Sequence, residues 1–191
     1  VSTNSIYKKY IFSSGIKFNK SESTIKLNGL NACSELYSGL FINKNNHQEI
    51  KTNIQHLKPN CQSHQDIKNV LTTGSKGVFQ GKVFVDQIAQ KTNAYQLSKG
   101  ILLDEDSEFN TKPELEIYAD DVKCSHGSTS GNLDSDALFY LKARGIQEKE
   151  AIKMIVKGFL ESVLKDIKNK EIADILENHF NTHIKYESRS N

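Results

Sequence analysis

The chain of 191 residues lacks tryptophan and has a single methionine, which disfavours a large apolar ligand pocket. Its three cysteines, Cys33, Cys61 and Cys124, are odd in number and irregularly spaced, which excludes a disulfide framework and favours a reducing, cytoplasmic setting. No apolar run reaches the length of a membrane-spanning helix, and no signal-peptide pattern follows Val1. With 25 basic and 23 acidic side chains, a formal charge of +2 gives no electrostatic reason to expect nucleic acid or an anionic membrane as partner.

Three segments of the first two thirds alternate apolar and polar residues with a period of two, which predicts half-buried β-strands. They are residues 23–30 (STIKLNGL), 77–89 (GVFQGKVFVDQIA) and 115–126 (LEIYADDVKCSH). Short strands in series fit a sandwich, a barrel or a solenoid of stacked rungs, and composition does not choose among them. The polar residues 45–47 and 56–65 are interpreted as exposed loops or a poorly ordered insertion.

From Asp134 onward the apolar residues recur at three- and four-residue steps, the period of an amphipathic helix. Residues 134–145 begin with acidic side chains and carry basic ones before Gly145, the charge order expected along a helix, with Leu138, Phe139 and Leu141 on one side. A second stripe runs over residues 152–167 and a weaker third over residues 172–180. The sequence therefore predicts a β-rich body followed by two or three helices.

Two catalytic motifs are absent. A nucleophile elbow needs G-x-S-x-G, but residues 127–131 (GSTSG) place Thr129 where the serine belongs. No G-x-x-x-x-G-K-[ST] motif occurs either, so the chain is not expected to hydrolyse ATP.

Two histidine-containing pairs resemble metal sites but lack the ligands that would complete them. Cys61 and His64 have the spacing of half a zinc site, yet no second pair follows at a suitable distance, so a polar loop is the favoured interpretation. His179 and His183 stand four residues apart and are interpreted as a solvated helix face.

The segment Cys124-Ser125-His126 is the strongest candidate for chemistry. In an extended strand the side chains of Cys124 and His126 project from one face, with Cα atoms roughly 6–7 Å apart. Thiolate and imidazole suit iron or zinc, but clusters and structural zinc normally take four protein ligands, so the pair would be half of a site. The alternative is that Cys124 is a small core residue, His126 caps the strand, and Asp120 and Asp121 form a corner.

An ordered set of segments carries a resemblance to a known family: residues 76–96, residues 101–131 with the run DDVKCSHG, and residues 138–146. Together they resemble the C-terminal half of the SufB/SufD scaffold family of the SUF iron–sulfur cluster assembly system, and the run DDVKCSHG resembles its SufD members. The resemblance is strong over residues 76–159 and faint before Gly74. It implies a right-handed parallel β-helix over residues 1–132 without its N-terminal rungs, with Pro113 near the start of a rung, and a helical domain over residues 133–191.

The resemblance also implies a function: a scaffold and not an enzyme, which pairs with a SufB-like partner and docks a SufC-like ATPase. His126, with Cys124 beside it, would belong to the interface where a transient iron–sulfur cluster forms, and no tightly bound cofactor is expected. Phe139, Tyr140 and Arg144 are the candidate residues for ATPase docking. In isolation an open first rung favours a homodimer. The alternative is a structural docking module that self-associates and in which His126 has no metal role; a metal-dependent enzyme built on Cys124 and His126 lacks a third ligand.

Overall fold

Nine β-strands are followed by three α-helices in the part of the chain that the computed structural model describes, residues 1–165, 167 and 169–184. The strands are β1 (Ile6–Ser14), β2 (Phe18–Leu27), β3 (Cys33–Ile42), β4 (His47–His56), β5 (Gln62–Leu71), β6 (Lys76–Val85), β7 (Thr92–Leu102), β8 (Glu108–Ile117) and β9 (Val122–Asn132). The helices are α1 (Ser135–Ala143), α2 (Glu148–Glu161) and α3 (Lys170–His183), with a 3-10 turn (Ser162–Leu164) after α2.

Consecutive strands alternate between two parallel sheets. The first sheet has the order β1-β3-β5-β7-β9 and the second the order β2-β4-β6-β8. Strands of the first sheet begin at residues 6, 33, 62, 92 and 122, so successive rungs are 27 to 30 residues long. The chain therefore winds as a parallel β-solenoid followed by helices, which confirms the predicted fold class and selects the solenoid from the three β architectures.

Residues with positive φ form the corners between the sheets and stack from rung to rung. At one corner Asn4, Asn31 and Asn60 have φ of 55°, 57° and 61°, a conformation that asparagine tolerates better than most residues. The Asn31 side chain donates to Asn4 Oδ1 at 2.8 Å, so adjacent corners are tied together. At another corner a Cβ on Gly74 (φ 64°) would lie 2.4 Å from Asn45 Oδ1, and only glycine fits there.

The core between the two sheets is a column of apolar side chains that point inward from alternate residues of each strand. Complete burial of each such side chain stabilises the fold by about 1.5–3 kcal/mol. The fully buried members of the largest cluster include Leu27, Leu36, Ile42, Ile50, Ile54, Ile67, Leu71 and Phe79.

The interpretation of residues 56–65 as an exposed loop is wrong. His56 is the last residue of β4 and Gln65 lies within β5, and both side chains are buried in the solenoid interior. Cys61 is likewise buried, at the turn before β5, and its thiol donates to the Gly29 carbonyl at 3.2 Å. The segment looked like a loop because its interior positions are polar and are paired with each other, as in the 2.8 Å contact of His56 Nε2 with Ser63 Oγ.

Three further local expectations differ from the structure. His47 begins β4, so residues 45–47 are a tight corner and the start of a strand. The alternating segment 115–126 is two strands, because residues 118–121 turn the chain from β8 to β9, as expected for the acidic corner at Asp120 and Asp121. Pro113 lies within β8 and not at the start of a rung; β8 is an edge strand, where a missing N–H is tolerated.

The first two helices begin as the sequence predicts. Asp134 caps α1, since its Oδ1 accepts from the backbone N–H of Asp136 and of Ala137 at 3.0 Å each. Leu138 packs against the cluster between the helices and the first sheet, but Phe139 points away from it and is 74% exposed, so these two side chains do not share a face. In α2 the buried residues Ile152, Val156 and Leu160 cover Phe41 and Val70 on the outer side of the first sheet.

The last helix forms where the weaker stripe predicts it. Ile172 and Ile175 are 48% and 62% exposed, so much of the stripe faces outward. His179 is not simply solvated, because its Nε2 lies 3.0 Å from Ser14 Oγ of β1; the side chain of His183 lies outside the described residues. None of the helices in the described part has the length and apolar character needed to cross a bilayer.

We predict that His56 makes the solenoid lose stability in mild acid. Burial lowers the pKa of its imidazole from 6.5 to about 4, so between these values the unfolded chain takes up a proton that the folded chain refuses. Lowering the pH from about 7.5 to about 4.5 should therefore remove about 2–3 kcal/mol of the free energy of unfolding through this group alone.

The measurement is urea denaturation at both pH values for the natural chain, His56→Gln and His47→Gln. The His56 variant should show a pH-dependent loss smaller by about that amount. His47→Gln, at a half-exposed position of the outer surface, is the control for replacing a histidine that is not enclosed in the core. Equal losses in the natural chain and in His56→Gln would contradict the assignment.

Candidate functional site

The solenoid interior opens at its C-terminal end because the two sheets differ by one strand. In the described part of the chain the first sheet has five strands and the second has four. β9 therefore extends the first sheet beyond β8, the last strand of the second. Among the described residues, side chains on the inward side of β9 are faced by β8 from below but have no further strand of the second sheet above them, so they occupy core positions yet reach the surface.

Register places Cys124, His126 and Ser128 on this inward side of β9. They pair with Ala94, Gln96 and Ser98 of β7, and all three of these partners are buried. Because side chains in a parallel in-register pair stack at about the strand spacing of 4.8 Å, the β9 residues continue the interior columns of β7. The predicted common face of Cys124 and His126 is thus the interior face of the last strand.

Cys124 is half-buried at the edge of a small apolar cluster. The cluster contains Val83, Val85, Ala89, Ala94, Ala119, Leu115 and Val122. Burial raises the pKa of the Cys124 thiol, an effect that a backbone hydrogen bond from Ala94 partly offsets. The thiol is therefore protonated at neutral pH, and a metal ion or a partner's positive charge would have to displace that proton before the sulfur acted as a ligand.

His126 is exposed, and it lies within β9. The strand continues to Asn132, so the alternative interpretation that His126 caps the strand end is wrong. The same alternative made Cys124 a small core residue. This is partly correct, since Cys124 is half-buried and packs against the apolar cluster.

Ser128 ties this end of the solenoid together, and the sequence pattern did not single it out. Its hydroxyl lies 3.1 Å from Ser98 Oγ on the neighbouring strand of the same sheet and 2.7 Å from Thr111 Oγ1 on β8 of the opposite sheet. These hydrogen bonds hold β9 in place at Ser128, two residues after His126. The only signal in the sequence is the position of Ser128, two residues after His126 and thus on the same face.

The ligands at this end do not amount to a complete metal site. Within the described residues no group of three or more histidine, cysteine, aspartate or glutamate side chains is placed to hold a metal ion. Cys124 and His126 therefore supply at most two ligands, and Cys61 and His64 do not join them. A cluster at this end would need ligands beyond those that the described residues bring together here.

The candidate docking residues lie on a different element. Phe139 and Tyr140 are 74% and 57% exposed on α1, which packs against α2. Arg144, the C-terminal cap of α1, places its guanidinium carbon 5.1 Å from the centre of the Tyr140 ring. The three side chains form an exposed aromatic and cationic surface of a kind that is common at protein interfaces.

Comparison with known proteins identifies the family. The family model described as "SUF system FeS cluster assembly, SufBD core domain" matches residues 1–159. This chain belongs to the SufBD family. The match reaches the first residue, so the likeness to SufBD proteins is not faint before Gly74 but covers the whole solenoid, α1 and all but the last two residues of α2.

Curated proteins are similar to this chain over shorter stretches. The iron–sulfur cluster assembly protein SufD of Escherichia coli is 36% identical over 148 residues, which are 78% of this chain and 35% of that protein. A SufBD family protein of Synechocystis is 41% identical over 109 residues, 57% of this chain and 24% of the relative. Protein ABCI7 of Arabidopsis thaliana, described as chloroplastic, is 43% identical over 110 residues, 58% of this chain and 23% of the relative. The chain thus spans about a quarter to a third of the length of these relatives.

We predict that the Cys124 thiol is a slow nucleophile at neutral pH. Its raised pKa keeps the thiolate fraction small, so alkylation in the folded chain should be several-fold slower than in the urea-unfolded chain and should accelerate as the pH rises. The measurement is a time course of iodoacetamide labelling resolved by peptide mass spectrometry.

Cys61 provides the internal reference, because it is fully buried and should be labelled more slowly still. Labelling of Cys124 at the same rate in the folded and the unfolded chain would show that burial does not suppress its thiolate.

Proposed function

We propose that this chain is the core and helical portion of a SufD-like scaffold subunit on which iron–sulfur clusters are assembled. The solenoid end at β9 pairs with a SufB-like partner, and α1 docks a SufC-like ATPase. The cluster is cargo that forms transiently between the two scaffolds, and this chain acts as a cytoplasmic scaffold and not as an enzyme. The observation that carries the proposal is the exposure of His126 on an interior position of the last strand.

The geometry of the open end supports pairing with a second chain. β8 and β9 are the last strands of their sheets in the described part of the chain, so their outer edges present backbone groups that a partner's strands can pair with. The inward side chains of β9 would then be covered by the partner. An imidazole that is exposed in the single chain would become enclosed at the interface.

The small number of ligands supports a shared site. A cluster bound by protein normally takes four ligands, whereas this end offers His126 and a protonated Cys124. A partner that adds its own thiolates would complete the set. His126 is the better ligand of the two because burial keeps the proton on the Cys124 thiol.

We predict that His126→Ala lowers cluster formation by about tenfold or more in the assembled complex, because loss of even a supporting group of a metal site typically costs 10–100-fold. The chain is co-expressed with its SufB-like and SufC-like partners and reconstituted anaerobically with iron and sulfide. Iron and acid-labile sulfide are then measured per complex.

Ser125→Ala is the matched control, since Ser125 precedes His126 but projects from the outer side of β9. It should leave the cluster yield unchanged. Undiminished yield for His126→Ala in an intact complex would favour the alternative, a docking module that self-associates and in which the histidine has no metal role. The oligomeric state of the isolated chain, expected to be a homodimer, is measured alongside.

We predict that Phe139→Ala and Arg144→Ala each weaken binding of the SufC-like ATPase by about 10-fold, the usual effect of truncating an aromatic or arginine anchor at an interface. Titration calorimetry with the purified ATPase measures the affinity. Pairing with the SufB-like partner should be unaffected, because that contact lies at the other candidate surface.

Ile175→Ala controls for the loss of any exposed apolar side chain, since Ile175 is 62% exposed on α3. It should bind the ATPase as the natural chain does. Full affinity in both α1 variants would refute docking through this helix.

A further inference from the structure

A row of buried amides ends at His126. In register, Gln65 of β5 pairs with Gln96 of β7, and Gln96 pairs with His126 of β9. Gln65 and Gln96 are almost completely buried, whereas the residue of β3 in the same row is the apolar Leu36. We call Gln65 and Gln96 the amide row. Its polar character begins two rungs below the exposed imidazole.

Hydrogen bonds give the amide row a single orientation. The Thr52 hydroxyl donates to Gln65 Oε1 at 2.7 Å, and Gln65 Nε2 donates to Gln96 Oε1 at 3.4 Å. Gln96 Nε2 in turn donates to the Gly81 carbonyl at 3.4 Å. Because a carbonyl can only accept, the side-chain nitrogen of Gln96 must face Gly81. The side-chain oxygen of Gln96 therefore lies in the amide row, where it accepts from Gln65.

Gly81 makes room for this arrangement. A Cβ at residue 81 would lie 2.3 Å from Gln96 Nε2 and 2.6 Å from Phe79 Cζ, so any side chain there would displace the amide. The fold thus combines a glycine, which packs nothing, with a buried glutamine, which must be hydrogen-bonded to avoid a penalty of about 1–3 kcal/mol. If residue 96 only had to fill the core, an apolar side chain such as that of Leu36 would do so without needing hydrogen-bond partners.

We propose that Gln96 is a positioning residue for His126. Its oxygen accepts a hydrogen bond from Gln65, and its second lone pair remains available to a ring N–H of His126, which pairs with Gln96 on the adjacent strand. Holding the proton on one ring nitrogen leaves the lone pair of the other free to face outward. Histidines that bind metals usually donate their second N–H to a carbonyl or carboxylate in this way. The consequence for cluster ligation rests on the proposed function, whereas the effect on the ring does not.

The test is the tautomer of His126 in Gln96→Met and in Gly81→Ala. The first variant removes the amide with little change in length, and the second keeps it but pushes it from its place. Long-range ¹H–¹⁵N correlation spectra of the chain labelled at its six histidines report which ring nitrogen carries the proton. Spectra are recorded at about pH 8.5, where an ordinary imidazole is neutral, and His126→Ala assigns the signal.

The natural chain should show one dominant His126 tautomer, and both variants should show a mixture. Gln48→Met is the matched control, because Gln48 is an equally buried glutamine on β4, outside this row, and its replacement should leave the His126 signal unchanged. In the assembled complex Gln96→Met should also lower cluster yield by about tenfold. His126 nitrogen shifts that stay at their natural values in folded Gln96→Met or Gly81→Ala would overturn the inference.

The same experiments distinguish a failure of the positioning role of Gln96 from a failure of the proposed ligand role of His126. A changed tautomer in Gln96→Met together with full cluster yield in His126→Ala would support the positioning of the ring and refute its role as a ligand. A loss of cluster in His126→Ala with an unchanged tautomer in Gln96→Met would do the opposite.

Discussion

In-register stacking of parallel strands is the constraint on which the rest of this molecule depends. Each rung of 27 to 30 residues returns the chain to the same place one strand spacing higher, so residues that share a column meet although they are a full rung apart. The corners maintain this register, as Asn31 does when it bonds to Asn4. Because the first sheet has one strand more than the second in the described residues, the same stacking that buries Gln65 and Gln96 leaves His126 exposed.

Stacking also explains how a narrow interior can contain many polar groups. A buried amide or hydroxyl is costly unless it is paired, and the adjacent rungs supply partners for some of these groups, as Ser63 does for His56 and Gln65 does for Gln96. The cost that remains appears in the lowered pKa of His56, whose imidazole stays neutral where an exposed one would be charged. Interior residues are therefore coupled along columns, so a substitution in one rung changes the surroundings of the residues in the rungs above and below.

The sequence predicted those parts of the fold whose signals are local. Alternation located the strands around Ile25, Phe79 and Val83, and the period of 3.6 with Asp134 as cap located α1 and α2. β1, β3 and β7 were not singled out, and parts of β4 and β5 were interpreted as loops because their inward residues include Gln48, His56 and Gln65, which resemble loop residues until the adjacent rung is known. At the site, His126 was found through a local motif, whereas Ser128, Thr111 and Gln96 act through contacts with residues 17 to 31 positions away.

The open end of the solenoid gives His126 two properties that usually exclude each other. A surface histidine is accessible but moves freely, and a core histidine is held in place but inaccessible. An inward position on an uncovered last strand is supported from below by a packed column and bounded by the hydroxyl contacts of Ser128, while its upper side meets solvent or a partner. In the proposed function such a position suits a ligand that is oriented before a second chain supplies the remaining ones, because the ordering cost would be met when the chain folds and not when the cluster forms.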